Sequence, residues 1–119
     1  MSNNAKKTDF GFEVTWAATS NYCGKILVFE RPCKTSLNFN KEKQKTWFVN
    51  SGNFRVRWVD TKDGKLYEKD IAEGSVFHVE PLMPVSLEAL SSGASLTEIG
   101  TPDVKDDTFC VIPATNIGD

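Results

Sequence analysis

Three residues of one short stretch have the types and spacing to do chemistry together: Asn38, Asn40 and Lys45 in "SLNFNKEKQKTWFVNSG", residues 36–52. Side chains two apart on a strand share a face, so Asn38 and Asn40 point the same way, and Lys45 shares its face with Trp47 and Val49. Two amides and an ammonium on converging strands can hold an anion or a polar ligand, because the ammonium donates three hydrogen bonds and each amide both donates and accepts. They are poor ligands for a first-row metal, which favours imidazole, thiolate or carboxylate. A buried lysine also needs a partner, and Glu80, Glu88 and Glu98 are the candidate carboxylates.

Other reactive types are sparse. The one histidine, His78 in "FHVEP", is a candidate acid–base group because imidazole titrates near neutrality. It has no motif-placed carboxylate or tyrosine beside it, so a structural role is the simpler expectation. Cys23, Cys33 and Cys110 form no CxxC pair and are odd in number, which points to reduced thiols packed as small apolar side chains. No G-x-S-x-G elbow, P-loop or motif-paired cysteine and histidine occurs, so no catalytic residue is assigned. Lys41, Lys43 and Lys45 alternate in "NKEKQK", which reads as a solvated turn entering a strand. Arg55 and Arg57 read as a solvated sheet face.

The elements that must position these residues are strands. "GFEVTW", "YCGKILVFE", "KTWFVN", "NFRVRWVD", "SVFHVE", "VSLEAL", "ASLTEIG" and "TFCVIP" are short and rich in β-branched or aromatic residues, with glycine and proline between them. In "NFRVRWVD", Phe54, Val56 and Trp58 share one face while Arg55 and Arg57 take the other. Asp63-Gly64 marks a hairpin. Eight to ten strands at this spacing predict an all-β sandwich or barrel. The chain has 119 residues, 39% hydrophobic and 25% charged, which suits one globular domain. The first nine residues are polar and are expected to trail flexibly from a domain over 10–119. A net charge of −2 argues against nucleic-acid binding, and no apolar run is long enough to span a bilayer. The polar start "MSNNAKKTDF" is no secretory signal, and with reduced cysteines it implies a cytoplasmic setting, or a host cytoplasm or virion if the source is viral.

"NYCGKILVF", "TWFVNSGNFRVRW", "EGSVFHVEP", "LEALSS" and "EIGTPDVKDDTF" together resemble the cupin superfamily, and within it the single-domain cupins related to the C-terminal domain of mannose-6-phosphate isomerase. The likeness runs from Trp16 to Val111. It implies a cupin-like β-barrel, or jelly roll, of two antiparallel sheets. Cupins hold a metal with three histidines and a glutamate. Here Asn38 and Asn40 stand at the first two histidine positions, Lys45 at the glutamate and Val85 at the third histidine. Gly52 and Gly74 keep their places in the two signature stretches. Pro32 replaces the first glycine, and Glu80, Leu82 and Ala89 depart from the second stretch. The resemblance so changed implies no metal and no cofactor.

A vestigial pocket of Asn38, Asn40, Lys45, Trp47 and Val85 is the expected ligand site, open to a small anion or a sugar. The leading functional expectation is a non-enzymatic, metal-free binding or structural module. The alternatives are a sugar-phosphate isomerase or epimerase relative, and a structural component of a larger assembly such as a viral particle. Cupins pair through strands, so a homodimer or larger protein assembly is expected, with "FGFEVTW" as the exposed edge.

Overall fold

A computed structural model describes residues 5–114. Its strands are β1 (Ala5–Lys7), β2 (Gly11–Ala18), β3 (Cys23–Phe29), β4 (Cys33–Lys34), β5 (Leu37–Asn40), β6 (Lys45–Ser51), β7 (Asn53–Val59), β8 (Leu66–Ala72), β9 (Val76–Val79), β10 (Val85–Ala89), β11 (Ala94–Gly100) and β12 (Thr108–Ile112). They form two antiparallel sheets, in the orders β1-β2-β3-β11-β6-β9 and β12-β5-β10-β7-β8, with β4 also pairing β10. This is the expected all-β jelly roll. The additional strands are short, polar pieces whose composition carries little β signal: "AKK", "CK" and "LNFN".

Alternation decides what faces inward. On the first sheet Leu27, Phe29, Trp47, Val49 and Leu96 turn into the barrel, and on the second Phe54, Val56, Ile71, Val85, Leu87 and Ala89 meet them. Phe29 sits at the centre, stacked on Phe10 at 4.2 Å between ring centroids and edge-on to Phe54 at 5.2 Å. Ser86 to Ala89 of "SLEALSSG" lie in strand β10, and the rest of that stretch turns toward β11. Gly52 turns β6 into β7 with φ +79°, and a Cβ there would lie 2.7 Å from the Ala94 Cβ, so the position needs glycine for both reasons.

Several expectations are corrected. Residues 5–7, placed in the trailing segment, pair with Phe12–Val14 of β2; residues 1–4 of that segment lie outside the described residues, as do residues 115–119. "FGFEVTW" is therefore not a bare edge: β1 covers its first half, and only the Thr15–Ala18 half has no outer neighbour among the described residues. Lys43 is not solvated but buried. Its Nζ donates to the Thr101 carbonyl and to Asp103 Oδ1, both at 2.8 Å. Arg57 is likewise buried at 5% exposure, where the sequence reads as a solvated face; it donates to Glu88 Oε1 at 2.9 Å and Glu68 Oε2 at 3.3 Å. All three cysteines are free, but they differ: Cys23 is buried, Cys33 half-buried and Cys110 exposed.

Candidate functional site

The site is built where β5 and β6 bring their inward faces together. Asn38, Asn40, Lys45, Trp47 and Val85 all line one cavity of ≈ 160 Å³. These are the five residues that the sequence groups as a pocket. Val85 is held opposite Asn38 in the β10–β5 ladder and opposite Trp58 in the β10–β7 ladder, and it is buried as a wall residue. Trp47 is buried beneath Lys45, whose Nζ lies 5.4 Å from the indole centroid, within cation–π range.

Lys45 has few partners for a charge so enclosed. It donates one hydrogen bond, 3.2 Å to Asn40 Oδ1. The Glu98 carboxylate stands 4.0 Å away, beyond hydrogen-bond reach. Glu98 is itself buried and accepts from Trp47 Nε1 at 2.9 Å, which fixes its Oε1 on the cavity side of β11. Burial pulls the Lys45 ammonium below its ordinary value of 10.5. The Glu98 charge opposes this, while the neighbouring Lys43 and Lys25 charges reinforce it. Of the three candidate carboxylates, only Glu98 serves: Glu88 faces out to Arg57, and Glu80 is exposed beyond the end of β9.

The amides differ from each other. Asn40 is satisfied on both sides, accepting from Lys45 and donating to Thr108 Oγ1 at 2.9 Å. Asn38 is not: its Oδ1 is buried and has no hydrogen-bond partner among the described residues. A buried acceptor left alone costs about 1–3 kcal/mol, so this atom is a vacant position for a donor.

Lys25, Lys43 and Asp103 form a second group behind Lys45. Asp103 bridges the two lysines at 2.9 and 2.8 Å. Burial raises the Asp103 carboxyl, but hydrogen bonds from Lys43 and Lys25 outweigh it and hold it below its ordinary value. Burial likewise lowers Lys25, and its hydrogen bond to Asp103 with the Asp103, Glu13 and Glu98 charges carries it above. This group was missed by sequence reading, since Lys25, Lys43 and Asp103 lie in three separate segments. The alternation of Lys25 with the inward Leu27 and Phe29 was the signal available.

His78 lies elsewhere. It sits between the inward Phe77 and Val79, so its ring is on the outer, exposed face of β9, 2.9 Å from Thr46 Oγ1. It does not reach the cavity, and the acid–base expectation for it has no support in this arrangement.

A wider cleft of ≈ 530 Å³ adjoins the cavity. Phe10, Thr35, Ser36 and Asn38 belong to both walls. Its lining includes Lys6, Lys7 and Arg31 together with Asp9 and Glu13.

The cupin fold implies a metal at this position, and the residues do not fit one. The cavity offers one carboxylate, two amides and an ammonium, with no imidazole or thiolate. Among the described residues no three histidine, cysteine, aspartate or glutamate side chains gather into a ligand set.

No protein-family model matches the sequence, and no curated protein matches it. Solved structures do match. Oxalate decarboxylase from Bacillus subtilis superposes with a TM-score of 0.78 at 19% identity, over 90% of this chain and 29% of that one. The formate complex of the Lactobacillus farciminis oxalate decarboxylase gives 0.76 at 22% identity, over 90% and 33%. The capsular polysaccharide assembling protein CapF from Staphylococcus aureus gives 0.77 at 14%, over 91% and 32%. The chain thus spans about a third of the length of each of these proteins. At such identities the likeness is one of architecture, and the architecture is that of the cupin β-barrel.

Proposed function

We propose that this chain is a metal-free cupin-like binding module whose barrel cavity takes a small anionic ligand, such as an organic acid or a sugar bearing a phosphate. The observation that carries the reading is Lys45: a half-buried cation lining the cavity, with one hydrogen bond among the described residues where it can make three. An anion there would relieve the cost of burying the ammonium, and a ligand hydroxyl could donate to the unpartnered Asn38 Oδ1. A thermal-shift screen with small organic acids and sugar phosphates tests this. The wild-type chain is expected to be stabilised by at least one of them, and Lys45→Met to lose that shift. Absence of any Lys45-dependent shift across the screen would refute the reading.

The isomerase or epimerase alternative rests on the resemblance alone, and fold does not deliver chemistry. A role as a component of a homodimer or larger assembly has one observation in its favour. Trp16, Phe48, Val76 and Ile99 are about half exposed on the outer face of the first sheet, an apolar surface of the kind that partners cover. Light scattering at rising concentration tests it, and a monomer throughout would remove the homodimer.

A further inference from the structure

We propose that the Lys45 amine captures a short hydroxylated aldehyde or ketone as an imine inside the barrel cavity, with Glu98 moving the proton. The inference rests on the binding reading only for access of a small molecule to this cavity. Geometry carries it. Lys45 Nζ lines a space of ≈ 160 Å³, the volume of about five water molecules and enough for a two- or three-carbon compound. Leu27, Phe29 and Leu87 supply an apolar wall, against which a neutral amine is favoured over an ammonium. Glu98 Oε1 stands 4.0 Å from the nitrogen and is held there by Trp47. Asn38 Oδ1, buried and unpartnered, is an acceptor for the hydroxyl of such a compound.

Burial together with the Lys43 and Lys25 charges lowers the proton affinity of Lys45, the two means by which a lysine is made nucleophilic near neutral pH. Once the Lys45 side chain closes the 4.0 Å to Glu98, the ammonium gives it a proton, and the nitrogen lone pair then attacks the carbonyl carbon. The C=O π pair moves to oxygen, which takes the proton back from Glu98 to give the carbinolamine. The nitrogen, which still carries two protons, gives one to Glu98, and its freed lone pair then forms C=N as the hydroxyl takes that proton from Glu98 and leaves as water. The sum is ammonium plus carbonyl to protonated imine plus water, with no redox change.

Reductive trapping tests it. The full chain is incubated near neutral pH with glycolaldehyde and cyanoborohydride, and labelling is followed by peptide mass mapping. Lys45 is expected to be labelled at least about tenfold faster than Lys62, an exposed lysine of the β7–β8 turn with no carboxylate held beside its amine among the described residues to move the proton. Glu98→Gln is expected to slow labelling of Lys45 and leave Lys62 unchanged. Equal rates at the two lysines in the wild-type chain, or an unaltered Lys45 rate in Glu98→Gln, would overturn the proposal. Glycolate, which has no carbonyl to react, separates the two readings: a Lys45-dependent thermal shift with glycolate beside unaccelerated trapping leaves binding standing and removes imine capture.

Discussion

Two charged regions of this barrel stand in contrast. On the outer face of the second sheet, Arg55 and Arg57 are set against Glu68, Asp70 and Glu88 across the β8-β7-β10 ladder. Arg55 donates to both oxygens of Asp70, at 2.8 and 3.1 Å, and Arg57 reaches two carboxylates. Inside the barrel, Lys45 has one hydrogen bond and a carboxylate just out of reach, and Asn38 Oδ1 has nothing. The outer lattice is complete, and its interactions contribute to holding β8, β7 and β10 in register. The inner cluster is incomplete, which a protein tolerates where something else is to be bound. Charge on a sheet is thus evidence of function only when its hydrogen-bonding capacity is left open.

The sharpest way to break the contrast is Arg57→Ala. Removing a buried guanidinium leaves Glu88 and Glu68 facing each other without it, and a loss of about 3 kcal/mol in urea unfolding is expected. Lys45→Met should do the reverse. Replacing an under-partnered, half-buried cation with an apolar side chain of similar length is expected to change stability by less than about 1 kcal/mol or to raise it.

The same variant has a pH signature. The folded-state pKa of Lys45 lies below its unfolded value of 10.5, so just below pH 10.5 the unfolded chain binds more protons, and stability rises with pH there. Lys25 is shifted the other way, so its contribution is present below 10.5 and is lost only above it. Lys45→Met should remove the rise and keep the loss. A rise that persists in the variant would assign it to another group. The smallest effect belongs to Arg55→Ala: its pair with Asp70 is exposed and screened, so the change should be slight and should shrink with added salt in a double-mutant cycle with Asp70→Ala.

How much of this was legible beforehand varies by residue. Strands such as "NFRVRWVD" announce themselves, because alternation is a local property and Phe54, Val56 and Trp58 carry it within one window. The membership of the cavity was also legible, because the spacing of Asn38, Asn40, Lys45 and Gly52 follows a known frame and strand parity then puts the side chains on one face. The burial of Lys43 and Arg57 was not. Polar residues in a turn or on an outer face read as solvated until the chain that covers them is known.

The sequence alone, then, settles the β architecture and the inward register of β6, since both follow from residue types at short separations. Folding in three dimensions settles which carboxylate Lys45 meets, that Asn38 has no partner, and that Lys43 and Arg57 are enclosed. Those depend on contacts between distant segments, such as Trp47 with Glu98, 51 residues apart, Lys43 with Asp103, 60 apart, or Arg57 with Glu88, 31 apart. No local pattern encodes such distances; the ladder of β11 against β3 and β6 does.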